Sequence, residues 1–108
     1  MSKGDIVLIP FPFTDLSGQK VRPALVLHSD KRGEDCAVVF VSSAKTKRAS
    51  RFDVAVVPSS ANGLKVPSTI KVNKIATLQK KIALGELGIL ETTHMREVNK
   101  KLAQLFSF

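Results

Sequence analysis

Short apolar runs separated by Pro, Gly and charged residues fill most of the chain, a pattern typical of a strand-rich protein. The runs predict strands at residues 5–9, 21–28, 35–42 and 52–57. Pro10 is expected to end the first strand, because proline lacks the backbone N–H that a ladder uses. The third run is the most apolar, so we expect it to be buried on both faces of a sheet.

The last third of the chain predicts a broken strand, a turn and a helix. Residues 69–78 alternate, but the phase changes after Asn73, which indicates a bulge or two short strands. Gly residues interrupt segment 80–90, which predicts a short strand with a turn. Thr92 or Thr93 can cap a helix. Its apolar stripe at helical spacing is Met95, Val98, Leu102, Leu105 and Phe106.

These elements predict an α+β fold in which a strongly bent antiparallel sheet or small barrel is closed by the C-terminal helix. The 108 residues suit one domain, 1–108. The single cysteine, Cys36, lies in an apolar run and is expected to be buried and inert. No signal peptide and no apolar stretch near ~18 residues is visible, so we expect no membrane span and a cytoplasmic protein.

The net charge of the chain indicates which class of partner it binds. Lys and Arg number 17 against 9 for Asp and Glu, a formal net charge of +8. Such a field concentrates anions, so nucleic acid or an acidic protein is the expected partner. The alternative is that the charge only keeps the protein dispersed. Lys45, Lys47, Arg48 and Arg51 form the densest basic run, which is either a binding segment or a solvated loop.

The residues do not support metal or nucleotide chemistry. His28 and His94 are far apart in sequence, and the chain has no HExxH, HxH or DxD cluster, no GxSxG elbow and no phosphate-binding GxxxxGK[ST] loop. We therefore expect no metal and no cofactor. RNA is a substrate that needs neither, because its own 2′-hydroxyl is the nucleophile. A protein must then position the strand, stabilise charge on the phosphate and move protons.

Arg22 is the residue best suited to stabilise that charge. Its planar guanidinium donates two parallel hydrogen bonds to a phosphate, and Pro23 stiffens the backbone beside it. Ser42 or Ser43, at the end of another predicted strand, offers a hydroxyl to the same phosphate. The alternative for Arg22 is a surface charge at a strand end, and for the serines the polar end of a strand.

Three segments of the chain resemble the MazF/PemK toxins of bacterial toxin–antitoxin pairs. They are residues 4–27 (GDIVLIPFPFTDLSGQKVRPALVL), 38–45 (VVFVSSAK) and 68–78 (STIKVNKIATL). The resemblance implies an SH3-like barrel that forms a homodimer and cleaves single-stranded RNA at short motifs without a metal. The products would be a 2′,3′-cyclic phosphate and a 5′-hydroxyl. It also implies an antitoxin partner whose acidic tail occupies the RNA groove.

The resemblance assigns roles to residues of this chain. The family's Arg-Pro motif matches Arg22, which would stabilise the phosphorane, and the strand-end hydroxyl matches Ser42. Some relatives carry a glutamate five residues before the arginine as a candidate base. Ser17 stands there and the nearest carboxylate is Asp15, so the identity of the base stays open. The expected RNA contacts are Gln19, Lys20, Ser43, Lys45, Lys47, Asn73 and Lys74.

Two other functions are compatible with the same barrel. One is a binding protein that poisons a topoisomerase, as in a related toxin lineage, and the other is a catalytically silent relative that binds RNA or antitoxin. A rigid arginine beside a strand-end hydroxyl favours RNA cleavage over both.

Overall fold

The structure is a computed structural model that describes residues 1–11, 20–43 and 49–107, with only the backbone of Phe11. The described part contains six strands and one α-helix. The strands are β1 (Asp5–Phe11), β2 (Lys20–Ser29), β3 (Asp35–Ser42), β4 (Asp53–Val56), β5 (Ser68–Gln79) and β6 (Gly85–Ile89). The helix α1 spans Thr92–Leu105, and a single turn of 3₁₀ helix, Lys80–Ile82, joins β5 to β6.

All six strands belong to one antiparallel sheet with the order β4-β5-β3-β2-β1-β6. The sheet curls into a half-barrel and α1 follows it, so the predicted fold class is confirmed. β3 has the predicted bounds, whereas β2 is one residue longer at each end and β4 is one residue shorter at each end. Strands that follow each other along the chain are neighbours in the pairs β1-β2, β2-β3 and β4-β5, whereas the β3–β4 and β5–β6 connections carry β4 and β6 to the two edges.

The prediction that Pro10 ends the first strand is wrong, because β1 continues through Pro10, which pairs with Val21. The oxygen of Leu8 accepts from the N–H of Leu84 at 2.8 Å, so the backbone groups of Leu8 face β6. Two residues later, Pro10 faces the same side, beyond the last β6 pair at Leu8 and Gly85. A missing donor costs little at such a locally unpaired edge.

Strand alternation divides the side chains between two apolar clusters. On one face, Val39, Val54 and Ile70 belong to a larger cluster that α1 covers with Val98 and its neighbours. The other face carries a smaller cluster, which includes Ala24, Val38 and Cys36. Burial raises the pKa of the Cys36 thiol, which therefore stays protonated near neutral pH. Both faces of the sheet therefore bury apolar side chains.

β5 contains the predicted irregularity. Val39 of β3 pairs with Ile75, yet the next residue, Phe40, pairs with Lys71, so residues 72–74 form a bulge in β5. The N–H of Val72 donates to the oxygen of Phe52 at 3.1 Å, on the β4 side of β5. Val72 is buried, while Asn73 and Lys74 are exposed. The bulge therefore pushes two polar residues out of the sheet, as bulges near functional sites commonly do.

Neither Thr92 nor Thr93 caps α1, so that prediction is wrong. The N-cap residue is Glu91, and no side chain caps the helix. The Glu91 carboxylate binds elsewhere: it accepts from the Ser59 hydroxyl at 2.6 Å and from the Asn62 amide at 3.1 Å. Asn62 is fully buried, and its oxygen accepts from the N–H groups of Ser59 and Leu64. This network ties the loop after β4 to the start of α1.

We expect Glu91→Gln to destabilise the fold more at neutral pH than at acid pH. The Ser59 hydrogen bond, followed by the residue's own backbone N–H and by Asn62, holds the pKa of Glu91 below its ordinary value of 4.5. A depressed pKa contributes stability that is present above the unfolded pKa and is lost as the pH falls through the folded pKa.

Urea unfolding at pH 7 and near pH 3 measures this. Glu97→Gln, an exposed position on the same helix, controls for the loss of a charge. An equal loss of stability by Glu91→Gln at both pH values would contradict the account of the network.

Candidate functional site

Two adjoining clefts lie beside the C-terminal end of β3. Cleft A, of about 360 Å³, is lined by Arg22, Phe40, Val41, Ser42, Lys71 and Lys74. Cleft B, of about 390 Å³, is lined by Lys20, Val21, Arg22, Pro23, Val41 and Ser43. Both volumes are in the range of small-ligand sites. The described lining residues include four cations and no carboxylate, so the clefts attract anions.

Arg22 stands on the boundary of the two clefts. It lies on β2, where its register partner on β1 is Ile9, and its Nε is shielded from solvent. Pro23 follows it with a fixed φ. β2 pairs with β3 only from Ala24 onward, so the first residues of β2 remain accessible from the β3 side. Arg22 is therefore a half-buried cation on a rigid strand, not on a loop.

Ser42 shares cleft A with Arg22, and the sheet register explains why. Ala24 of β2 pairs with Phe40 of β3 in the antiparallel ladder. Two residues further along each strand lie Arg22 and Ser42, and residues two apart on a strand point to the same face. That face is opposite α1. Ser43, the next residue, lines cleft B instead, so the two serines line different clefts.

Lys71, which lines cleft A, belongs to an ion pair that the sequence analysis missed. Lys71 Nζ lies 3.0 Å from Asp53 Oδ2, and the two side chains are 17% and 10% exposed. Lys71 and Asp53 are register partners on β5 and β4, so they share a face. The sequence feature that could have indicated a functional role is Lys71 itself, a lysine between the apolar residues Ile70 and Val72.

The predicted RNA contacts divide into three groups. Lys20 and Ser43 line cleft B, and Lys74 lines cleft A. Asn73 is exposed beside Lys74 on the bulge but lines neither cleft. Gln19, Lys45 and Lys47 lie outside the described residues, as do Asp15, Ser17 and Arg48.

The histidines are remote from the clefts. His28 is exposed near the opposite end of β2 from Arg22, and its Nε2 lies 2.9 Å from Asp30 Oδ1. His94 is in the first turn of α1. Within ranges 1–11, 20–43 and 49–107, no group of three or more His, Cys, Asp or Glu side chains is arranged to hold a metal ion. In the same ranges, α1 is too short and too polar to cross a bilayer.

Solved structures share this fold. An endoribonuclease in complex with its cognate antitoxin from a mycobacterial species superposes with a TM-score of 0.76 at 22% identity, covering 100% of this chain and 96% of that one. A MazE-MazF complex from Deinococcus radiodurans gives 0.77 at 22% identity, covering 100% and 97%. Mycobacterium tuberculosis toxin MazF-mt6 gives 0.74 at 20% identity, covering 96% and 97%. No curated protein sequence matches the chain.

A family sequence model extends the comparison to nearly the whole chain. The model describes the PemK-like, MazF-like toxin of type II toxin–antitoxin systems and matches residues 2–106. Such coverage of a 108-residue chain shows that the protein belongs to the PemK-like, MazF-like family of type II toxins.

Proposed function

We propose that the protein is a toxin that cleaves single-stranded RNA without a metal cofactor. The observation that carries the proposal is cleft A, where a guanidinium on a rigid strand, a serine hydroxyl and two lysines line one concave surface with no carboxylate among the described lining residues. Cations and hydroxyls suit a phosphodiester, whereas Mg²⁺ prefers carboxylate ligands. The names of the similar solved structures, which include endoribonucleases, support the same reaction.

The reaction needs no nucleophile from the protein. The ribose O2′ attacks the adjacent phosphorus, the bond from phosphorus to O5′ breaks, and the products are a 2′,3′-cyclic phosphate and a 5′-hydroxyl. A general base takes the 2′-proton and an acid returns one to O5′. Arg22 stabilises the charge that gathers on the non-bridging oxygens of the phosphorane, and Ser42 donates a hydrogen bond to one of them. Both groups lie on strands, so little reorganisation is needed.

The same clefts suit an acidic partner. In the proposed pair, an acidic segment of the antitoxin binds along Lys20, Arg22 and Lys74 and excludes RNA by competing for the same cations. The toxin acts in the cytoplasm, where mRNA is its substrate, as a single domain that forms a homodimer. The antitoxin complexes among the similar structures support the antitoxin partner.

We expect the purified protein to cut a long single-stranded RNA in the presence of EDTA. Sequencing of the fragments gives the motif, and resistance of the 5′ ends to ligation until they are phosphorylated identifies the 5′-hydroxyl. A matched strand with 2′-deoxyribose throughout is the control and should stay intact. RNA that remains whole across many sequences would overturn the proposal and favour the topoisomerase poison or the silent relative.

A further inference from the structure

Lys71 is placed as no other described lysine is. It lies on β5 between two neighbouring strands. Phe40 of β3 is its register partner on one side, and Asp53 of β4 is its register partner on the other. The residues beside it, Ile70 and Val72, are fully buried under α1, so the Lys71 side chain is directed to the opposite face. There it lines cleft A together with Arg22 and Ser42.

Asp53 is the group that fixes Lys71. Its Oδ2 accepts from Lys71 Nζ at 3.0 Å and from the backbone N–H of Ser50, also at 3.0 Å. The N–H of Asp53 donates to Ser50 O, and the Ser50 hydroxyl accepts from the N–H of Phe52. The carboxylate is thus held by a tight turn before β4. It does not line cleft A, so it anchors the lysine without presenting a negative charge to a ligand there.

Stability does not explain the pair. Asp53 is 10% exposed, and its Oδ1 is buried without a hydrogen-bond partner among the described residues. A largely buried ion pair repays its desolvation only with full hydrogen bonding, and two apolar side chains of similar volume commonly stabilise a fold as well or better. Incompletely satisfied polar groups of this kind are expected next to functional sites.

The N–H groups of Lys71 that do not bind Asp53 indicate the function of this lysine. An ammonium has three N–H groups, and within the described residues only Asp53 accepts from Lys71. Lys71 lines cleft A together with Arg22, so a ligand in this cleft can accept from the other two N–H groups. We propose that Lys71 binds a phosphate of the strand in cleft A and that Asp53 is a positioning residue that fixes Lys71 for this contact. The inference rests on the proposed RNA cleavage and adds two residues to it.

The first test removes the pair without changing the net charge. In Asp53→Asn/Lys71→Met, long-range attraction for RNA is preserved and only the local contact is lost. We expect affinity for a 2′-deoxy strand, which is not cleaved, to fall about tenfold, as for a hydrogen bond to a charged group. The control is Glu97→Gln/Lys100→Met, an equally neutral change at exposed positions of α1, and it should bind like wild type.

The second test separates positioning from charge. In Asp53→Asn, Lys71 keeps its charge but loses its anchor, so we expect KM to stay level or fall while kcat drops about tenfold, because orientation governs the rate of the bound strand. Lys71→Arg, which retains a cation that can pair with Asp53, should keep most activity. A merely structural role for Asp53 in a folded variant would move neither constant.

Thermal melting of each variant confirms folding. If the first double variant unfolds, it is replaced by Asp53→Asn/Lys71→Gln, which keeps a hydrogen bond between the two side chains. Wild-type affinity in the folded double variant would overturn the role of Lys71, and an unchanged kcat in Asp53→Asn would overturn the role of Asp53. In both cases RNA cleavage itself would stand. A wild-type protein that neither binds nor cuts RNA would overturn both the inference and the proposed function.

Discussion

Arg22→Ala is expected to lower the rate of RNA cleavage by about 10²–10³-fold, the usual effect of removing one donor to a developing oxyanion. Arg22 lines both clefts and is half-buried on β2, and the lysines that share these clefts lack its planar fork. Gel-based cleavage under single-turnover conditions measures the loss. Since Arg22 lies outside both buried clusters, the melting temperature should change little.

Two companion variants make the result specific. Arg22→Lys keeps a positive charge but loses the planar fork, so its rate should lie between those of wild type and Arg22→Ala. Arg32→Ala removes an exposed arginine from the turn between β2 and β3 and should leave cleavage unchanged. Wild-type rates for Arg22→Ala would show that cleavage does not use this guanidinium.

Gly88→Ala is expected to destabilise the protein by about 2–3 kcal/mol, the cost of forcing extra atoms into a packed site. A Cβ at Gly88 would press on the carbonyl oxygen of Ala61 and lie 2.7 Å from the carbonyl carbon of Asn62. A Cβ at Gly63 would press on the backbone of Leu87 in the same way, and Gly63 has a φ of +69°. β6 and the loop after β4 are thus packed backbone to backbone, which leaves no room for a methyl group.

The matched control is in the same strand. At Gly85 an added Cβ would meet nothing within 4 Å, so Gly85→Ala should be neutral or slightly stabilising through the unfolded state. Chemical unfolding of the two variants measures the difference. Equal stabilities would contradict the close approach of β6 to residues 61–62.

Local pattern predicted much of the fold and part of the site. The apolar run of β3 has its predicted ends at Asp35 and Ser42, because a strand buried on both faces leaves a continuous signal. The phase change after Asn73 identified the bulge. Arg22 and the pair Ser42 or Ser43 were predicted separately, each from its position near a strand end, and the family resemblance selected Ser42. The antiparallel register of β2 and β3 brings Arg22 and Ser42 to one cleft.

The features that were missed depend on contacts between distant residues. Lys71 meets Asp53 across 18 positions, through a register that the loop after β4 sets and that no local pattern reveals. The same is true of the helix start, where Ser59 and Asn62 engage Glu91 across 32 and 29 positions. Thr92 and Thr93 have good capping propensity, but the tertiary network decided where the helix begins and left its first turn without a side-chain cap.

The most direct test of the central claim is a crystal structure of the protein with its RNA target, carrying a single 2′-deoxyribose at the cleaved position. The account predicts the Arg22 guanidinium at about 3 Å from the non-bridging oxygens of the scissile phosphate, with the Ser42 hydroxyl on the same group. A scissile phosphate bound elsewhere, with Arg22 turned away from it, would contradict the account.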